Sequence, residues 1–176
     1  AVSLISPEKQ ELDGILPEPP ASSDYLVFLT DSSSAFQCST CPEQPILAID
    51  ALQQAVLRLY GPGAGGQVIP SHMSSYSFAD LSNLLAGNGI EGMDSALRRA
   101  NWIIVSMTDA SASQPQLVHQ FLAERQGLLR AKKNILFSFG APYYFDSTDV
   151  AKLTAYFALY SKSPAFVDVA ARVLYH

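Results

Sequence analysis

The side chains of this sequence that could do chemistry are two acids, a cysteine pair, a glycine run and two internal histidines. Asp31 and Asp109 each follow a threonine and open a hydroxyl-rich stretch, with Ser32 and Ser33 after the first and Ser111 after the second. Two carboxylates on opposite sides of a sugar can hydrolyse a glycosidic bond, so their placement decides whether they are more than two acids. The hydroxyls beside them either bind a polyol or cap the helices that follow, and residue type leaves both readings open.

Cys38 and Cys41 have the spacing of a redox pair or of half a zinc site. There is no second C-x-x-C, and His72 and His119 do not stand at zinc-ligand spacing, so no metal is expected. The pair is read as a loop-bracing disulfide or two structural thiols. Gly61, Gly63 and Gly66 spell G-x-G-x-x-G, but they follow a helical pattern and lead into a candidate strand. A dinucleotide fingerprint needs the reverse order, with the pyrophosphate on a helix N-terminus, so the run is read as a helix-terminating loop and no cofactor is expected. No G-x-S-x-G supports a serine nucleophile. His119 lies inside a helical pattern, whereas His72 follows a candidate strand and is the histidine a site would use.

These groups meet only if the elements bring them together. Residues 24–30 (Asp-Tyr-Leu-Val-Phe-Leu-Thr) form a short apolar run between polar stretches, the pattern of a buried strand. Ile46, Ile49, Leu52, Val56 and Leu59 recur at steps of three and four and are stopped by Gly61, an amphipathic helix. Residues 67–70 are read as a second strand. Ser77 stands three residues before Asp80, a capping box that opens a helix through Leu85, and a short helix is expected over residues 93–100. Residues 101–107 form the next strand. Ser113 and Gln116 resemble a capping box for a long helix whose stripe is Leu117, Val118, Phe121, Leu122, Leu128 and Leu129. Residues 134–139 and 154–160 are the last strands, and Ser163 with Pro164 opens the closing helix.

The alternation predicts an α/β, three-layer, doubly wound domain with a mostly parallel sheet of about five strands, flavodoxin-like or Rossmann-like. It occupies residues 24–176 behind a linker or extended segment over residues 1–23. Ligands of such sheets meet the loops beyond the carboxyl ends of the strands. That rule nominates Asp31, Ser32, Ser33, His72, Asp109, Ser111 and Tyr143 as substrate-binding residues and no residue as a catalyst.

With 176 residues the chain fits one domain that buries roughly 70% of its unfolded surface without metal or disulfide. A formal charge of -5 and dispersed cations exclude a phosphate-backbone partner, so no nucleic acid is expected. Arg125, Arg130, Lys132 and Lys133 follow an amphipathic stretch, where cations suit a helix C-terminus. No apolar run approaches the roughly 18 residues of a membrane span, so a soluble chain is expected, with cytoplasmic and secreted locations both open.

Residues 135–143 (Ile-Leu-Phe-Ser-Phe-Gly-Ala-Pro-Tyr) resemble the strand and Gly-x-Pro-Tyr turn of the second domain of family 3 glycoside hydrolases, in the branch similar to β-N-acetylhexosaminidases. Residues 155–160 and 166–175 resemble that domain's closing strand and Ala-rich helix, and residues 24–31 and 100–106 its earlier strands. The resemblance covers residues 24–175. It implies an accessory C-terminal domain that contributes to carbohydrate binding and active-site closure. The nucleophilic Asp would belong to an N-terminal (β/α)8 barrel partner, and the isolated domain would be inactive. It also implies that the sheet ends short of a strand that relatives add, leaving an edge unfinished. The competing expectation is a stand-alone flavodoxin-like module holding a phosphate or another small molecule on the Ser-rich loop after the first strand.

Overall fold

The computed structural model describes residues 2–7, 17–36, 38–108 and 113–175. Strand β1 (Ser3–Ser6) comes first, then β2 (Leu26–Thr30) and a hairpin of two three-residue strands, β3 (Ser34–Phe36) and β4 (Glu43–Pro45). The chain continues through α1 (Ala51–Tyr60), β5 (Met73–Ser77), α2 (Phe78–Leu85), α3 (Met93–Arg99), β6 (Trp102–Met107), α4 (Ser113–Glu124) and α5 (Gln126–Leu129). It closes with β7 (Lys133–Ser138), α6 (Ser147–Val150), β8 (Ala155–Ala158) and α7 (Pro164–Tyr175).

Side-chain alternation along the buried strands produces two cores, because successive residues point to opposite faces. Leu26 and Phe28 of β2, Trp102 and Ile104 of β6, and Ile135 and Phe137 of β7 pack with α1 and α7. Val27 and Leu29, Ile103 and Val105, and Leu136 pack with α2, α3 and α4. A sheet covered on both faces needs near-continuous apolar strands, and β2 and β6 are buried at every residue. Each fully buried Leu or Phe contributes about 1.5–3 kcal/mol, so these two cores dominate the stability.

The main sheet has six strands in the order β1-β8-β7-β6-β2-β5, all parallel except β1, which runs antiparallel to β8. Renumbered by chain order, the five parallel strands read 2-1-3-4-5, the flavodoxin-like arrangement. The predicted α/β sandwich is therefore the observed one, with a sixth strand. That strand comes from residues 1–23, where the sequence predicts a linker or extended segment, and it pairs along β8 through Ser3 with Ala158 and Leu4 with Phe157. β1 and β5 are the two edges of this sheet.

Three local readings change. Residues 67–70 are not a strand: Val68 is buried, and a 3-10 turn over Pro70–His72 delivers the chain to β5. β5 escaped the apolar pattern because it is an edge strand, polar in sequence and buried fully only at its two ends. The long helix after β6 divides at Arg125 into α4 and α5. Gly61 ends α1 as expected, its N–H reaching the Leu57 carbonyl at 2.9 Å, and a Cβ there would stand 2.2 Å from that same oxygen. The glycine run follows a helix and has no strand before it, which removes the dinucleotide reading.

Candidate functional site

The sheet's topological switch point lies between β2 and β6, where chain order reverses and a crevice opens outside the carboxyl ends. Asp31 follows β2 there, and Thr108 follows β6. Asp31 is only 1% exposed. One carboxylate oxygen accepts from the Ser33 backbone N–H at 3.0 Å and from the Ser33 hydroxyl. The other accepts from the Thr108 backbone N–H at 3.0 Å and from the Thr108 hydroxyl. The Asp31 N–H donates to the Ser106 carbonyl at 2.8 Å, which extends the β2–β6 ladder by one bond.

Four donors on two oxygens satisfy this carboxylate internally. A buried charge is tolerated only when it is paired or fully hydrogen-bonded, and here the charge is held by hydroxyls and backbone N–H groups. The acid therefore clamps the ends of two central strands. It does not face an open cavity as a free acid or base.

A cleft of about 410 Å³ opens next to the clamp, between α2 and α4. Ser33, Ser82, Gln114, Gln116 and Gln120 contribute hydroxyl and amide groups to it, with Phe78 and Leu117 as apolar wall. Among the described residues its lining contains no Lys or Arg. Gln114 is buried; its amide nitrogen donates to the Ser33 hydroxyl, while its amide oxygen has no partner among the described residues. Sequence reasoning took Gln114 only as part of a helix opening. Nothing in its type distinguished it, because its role depends on α4 crossing the end of β2.

The nominated residues divide among three places. Asp31 and Ser33 meet at the switch point, and Ser32 stands half-buried between them. Tyr143 lies on the same carboxyl rim, in the loop after β7, and is 83% exposed. Tyr144 and Tyr160 are also exposed on that rim. Asp109 and Ser111 lie outside the described residues, as does any cap preceding Ser113. His72 belongs to the opposite edge. Because β5 starts at Met73 and not at residue 67, His72 precedes its strand, and its ring stacks on Tyr25 at 4.1 Å while Arg99 lies over the other partner of that stack at 4.7 Å. It is removed from the carboxyl-rim site.

Other groups settle into structural roles. Cys38 and Cys41 are joined by a disulfide at the tip of the β3–β4 hairpin. His119 Nδ1 stands 2.8 Å from the Asp149 carboxylate, the acid almost fully buried and the histidine 57% exposed. This geometry orients the ring, and the pair ties α4 to α6. No cluster of metal-ligating side chains occurs among the described residues. The cations expected at the C-terminus of the helix they follow do not stand in the last turn of α4 or α5; Lys132 instead donates to the Arg98 and Ala100 carbonyls at 2.7 and 2.5 Å, closing the end of α3. No helix among the described residues is long and apolar enough to cross a membrane.

No family model matches this chain, and no curated protein matches it. Solved structures do. The chain is similar to part of a fungal multi-domain family 3 glycoside hydrolase, a β-N-acetylglucosaminidase described as containing a GCN5-related glucosamine N-acetyltransferase region, at 17% identity and a TM-score of 0.60. That match covers 99% of this chain and 16% of the other. A family 3 β-N-acetylglucosaminidase from Paenibacillus sp. str. FPU-7 matches at 14% identity and a TM-score of 0.56, over 99% of this chain and 28% of that one. The β-glucoside phosphorylase BglX matches at 14% identity and a TM-score of 0.50, over 99% and 27%. This chain thus spans between 16% and 28% of the length of these three proteins. At such identities the shared property is the fold.

Proposed function

We propose that this chain is an accessory C-terminal domain of a family 3 glycoside hydrolase, similar to β-N-acetylhexosaminidases or β-glucosidases, which borders the sugar site and is not catalytic alone. The observation that carries this reading is the fold match over 99% of the chain to proteins of which it spans at most 28%. A unit of this shape and size is a part of larger carbohydrate-active enzymes. Its partners would be an N-terminal (β/α)8 barrel of the same enzyme and a carbohydrate.

The switch-point chemistry supports the same division of labour. Proton transfer needs a group within hydrogen-bond reach of the substrate, and Asp31 is buried and already accepts from four donors. The cleft beside it has hydroxyls, amides and an apolar wall, with a volume of about 410 Å³ that lies within the usual range for small-ligand sites. A neutral polyol fits such a lining. A phosphate does not, because the described wall offers no cation and includes a carboxylate; this counts against the flavodoxin-like reading despite the shared strand order. Tyr143 offers an exposed aromatic face on the same rim.

The test uses the isolated chain with aryl N-acetylglucosaminide and aryl β-glucoside substrates, and NMR titration with N-acetylglucosamine and glucose. No turnover is expected, and shift changes are expected at Ser33, Ser82, Gln116 and Gln120. Turnover that disappears in Asp31→Asn, or sugar titrations that leave the cleft resonances unmoved while inorganic phosphate shifts them, would overturn the proposal.

A further inference from the structure

The β3–β4 hairpin rises from the switch point with almost nothing to hold it. All six residues of its strands are exposed, including Phe36 at 66%. It pairs Phe36 with Glu43, Ala35 with Gln44 and Ser34 with Pro45 in a sheet of its own, apart from the main sheet. At the base the Ile46 N–H reaches the Ser33 carbonyl at 2.9 Å. A two-stranded hairpin without a buried face is marginal in water. What closes it is the tip, where the Cys41 N–H reaches the Cys38 carbonyl at 3.2 Å and the Cys38–Cys41 disulfide fixes the same turn.

We propose that this disulfide is a thiol-exchange site whose reduction opens the hairpin while leaving the main sheet folded. Cys38 is exposed and Cys41 half-buried, so the bond is open to a reductant in the folded protein. The co-reactant is a dithiol. One of its thiolates attacks the Cys38 sulfur, the S–S bond breaks, and Cys41 leaves as a thiolate that takes up a proton. The second thiol of the reductant then displaces Cys38 from the mixed disulfide. The protein gains two electrons and two protons, and the reductant becomes a disulfide.

The opening is bounded on both sides. Ser33 is held by Asp31 and by Gln114, and the Ile46 N–H reaches the Ser33 carbonyl at 2.9 Å, so what is released is the pairing of residues 34–36 with residues 43–45. Strand β3 begins one residue after Ser33, which lines the cleft.

Limited proteolysis of the full chain with chymotrypsin reads the change directly, since cleavage after Phe36 tracks the open population. Dithiothreitol is expected to accelerate that cut at least tenfold, with the far-UV circular dichroism and the thermal midpoint of the main transition nearly unchanged. The Cys38→Ser/Cys41→Ser variant should reproduce the reduced behaviour without reductant, and NMR shifts of residues 34–36 and 43–45 should lose their strand character in both. Equal cleavage rates in the oxidised and reduced forms, strand-like shifts persisting in the double variant, or reduction that unfolds the whole domain would each overturn the proposal.

Discussion

At the residue scale, Asp31 shows how a side chain suited to catalysis is spent on architecture. Its type and its place after a strand are what an acid–base group would require, yet four donors converge on it and nearly no solvent reaches it. Replacing it with alanine orphans two backbone N–H groups and two hydroxyls at the sheet's centre. We expect Asp31→Ala to lose about 3 kcal/mol in urea unfolding, and Thr108→Val, which removes one donor, to lose about 1 kcal/mol. A loss below about 1 kcal/mol for Asp31→Ala would mean that the clamp does not exist.

Two buried phenols give the domain an alkaline limit. Tyr156 is raised from the ordinary 10.0 to about 12 by burial, partly opposed by the neighbouring Ser138 hydroxyl and reinforced by Tyr160 and Tyr144. Tyr175 is also raised, by burial first and then by Asp24 and Tyr60. The unfolded chain therefore releases these protons at lower pH than the folded one. Stability is intact below about pH 10 and falls as pH rises toward 12. Tyr156→Phe is expected to flatten this fall, as read from denaturant midpoints at stepped pH. An unchanged alkaline slope in Tyr156→Phe/Tyr175→Phe would contradict it.

At the scale of elements, what could be read from the sequence was what neighbours along the chain decide. The capping box of α2 needs only Ser77 and Asp80, and both of its bonds form: the Asp80 N–H to the Ser77 hydroxyl at 3.1 Å and the Ser77 N–H to the Asp80 carboxylate at 2.8 Å. Ser77→Ala should cost about 1 kcal/mol of stability by thermal or urea melts. β5 was missed for the converse reason. Met73–Ser77 has no apolar alternation, and its strand conformation depends on parallel pairing with β2, which begins 47 residues earlier in the chain. That one displaced boundary moved His72 from the carboxyl rim to the amino edge, so an error in an element became an error in the site.

At the scale of the whole molecule, β1 is the strand on which solubility is expected to depend. β8 is fully buried along its length, and β1 satisfies the hydrogen-bonding edge that would otherwise face water. An exposed edge strand of apolar residues is a template for another chain. Deleting residues 1–7 should leave the parallel sheet folded by circular dichroism but promote concentration-dependent self-association in light scattering. A monomeric truncated chain at high concentration would show that β8 is protected by something else.

The sequence determined the layers by itself, because apolar runs of strand length and amphipathic stretches of helix length specify a sheet covered on both faces whatever the details of pairing. It also determined the capping box of α2 and the end of α1, which depend on residues within a few positions of one another. Only the tertiary structure decided the strand order, the edge role of β1 and the fate of Asp31. Those depend on which strand ends come to lie side by side, and residues 77 positions apart, such as Asp31 and Thr108, carry no local signal of their meeting.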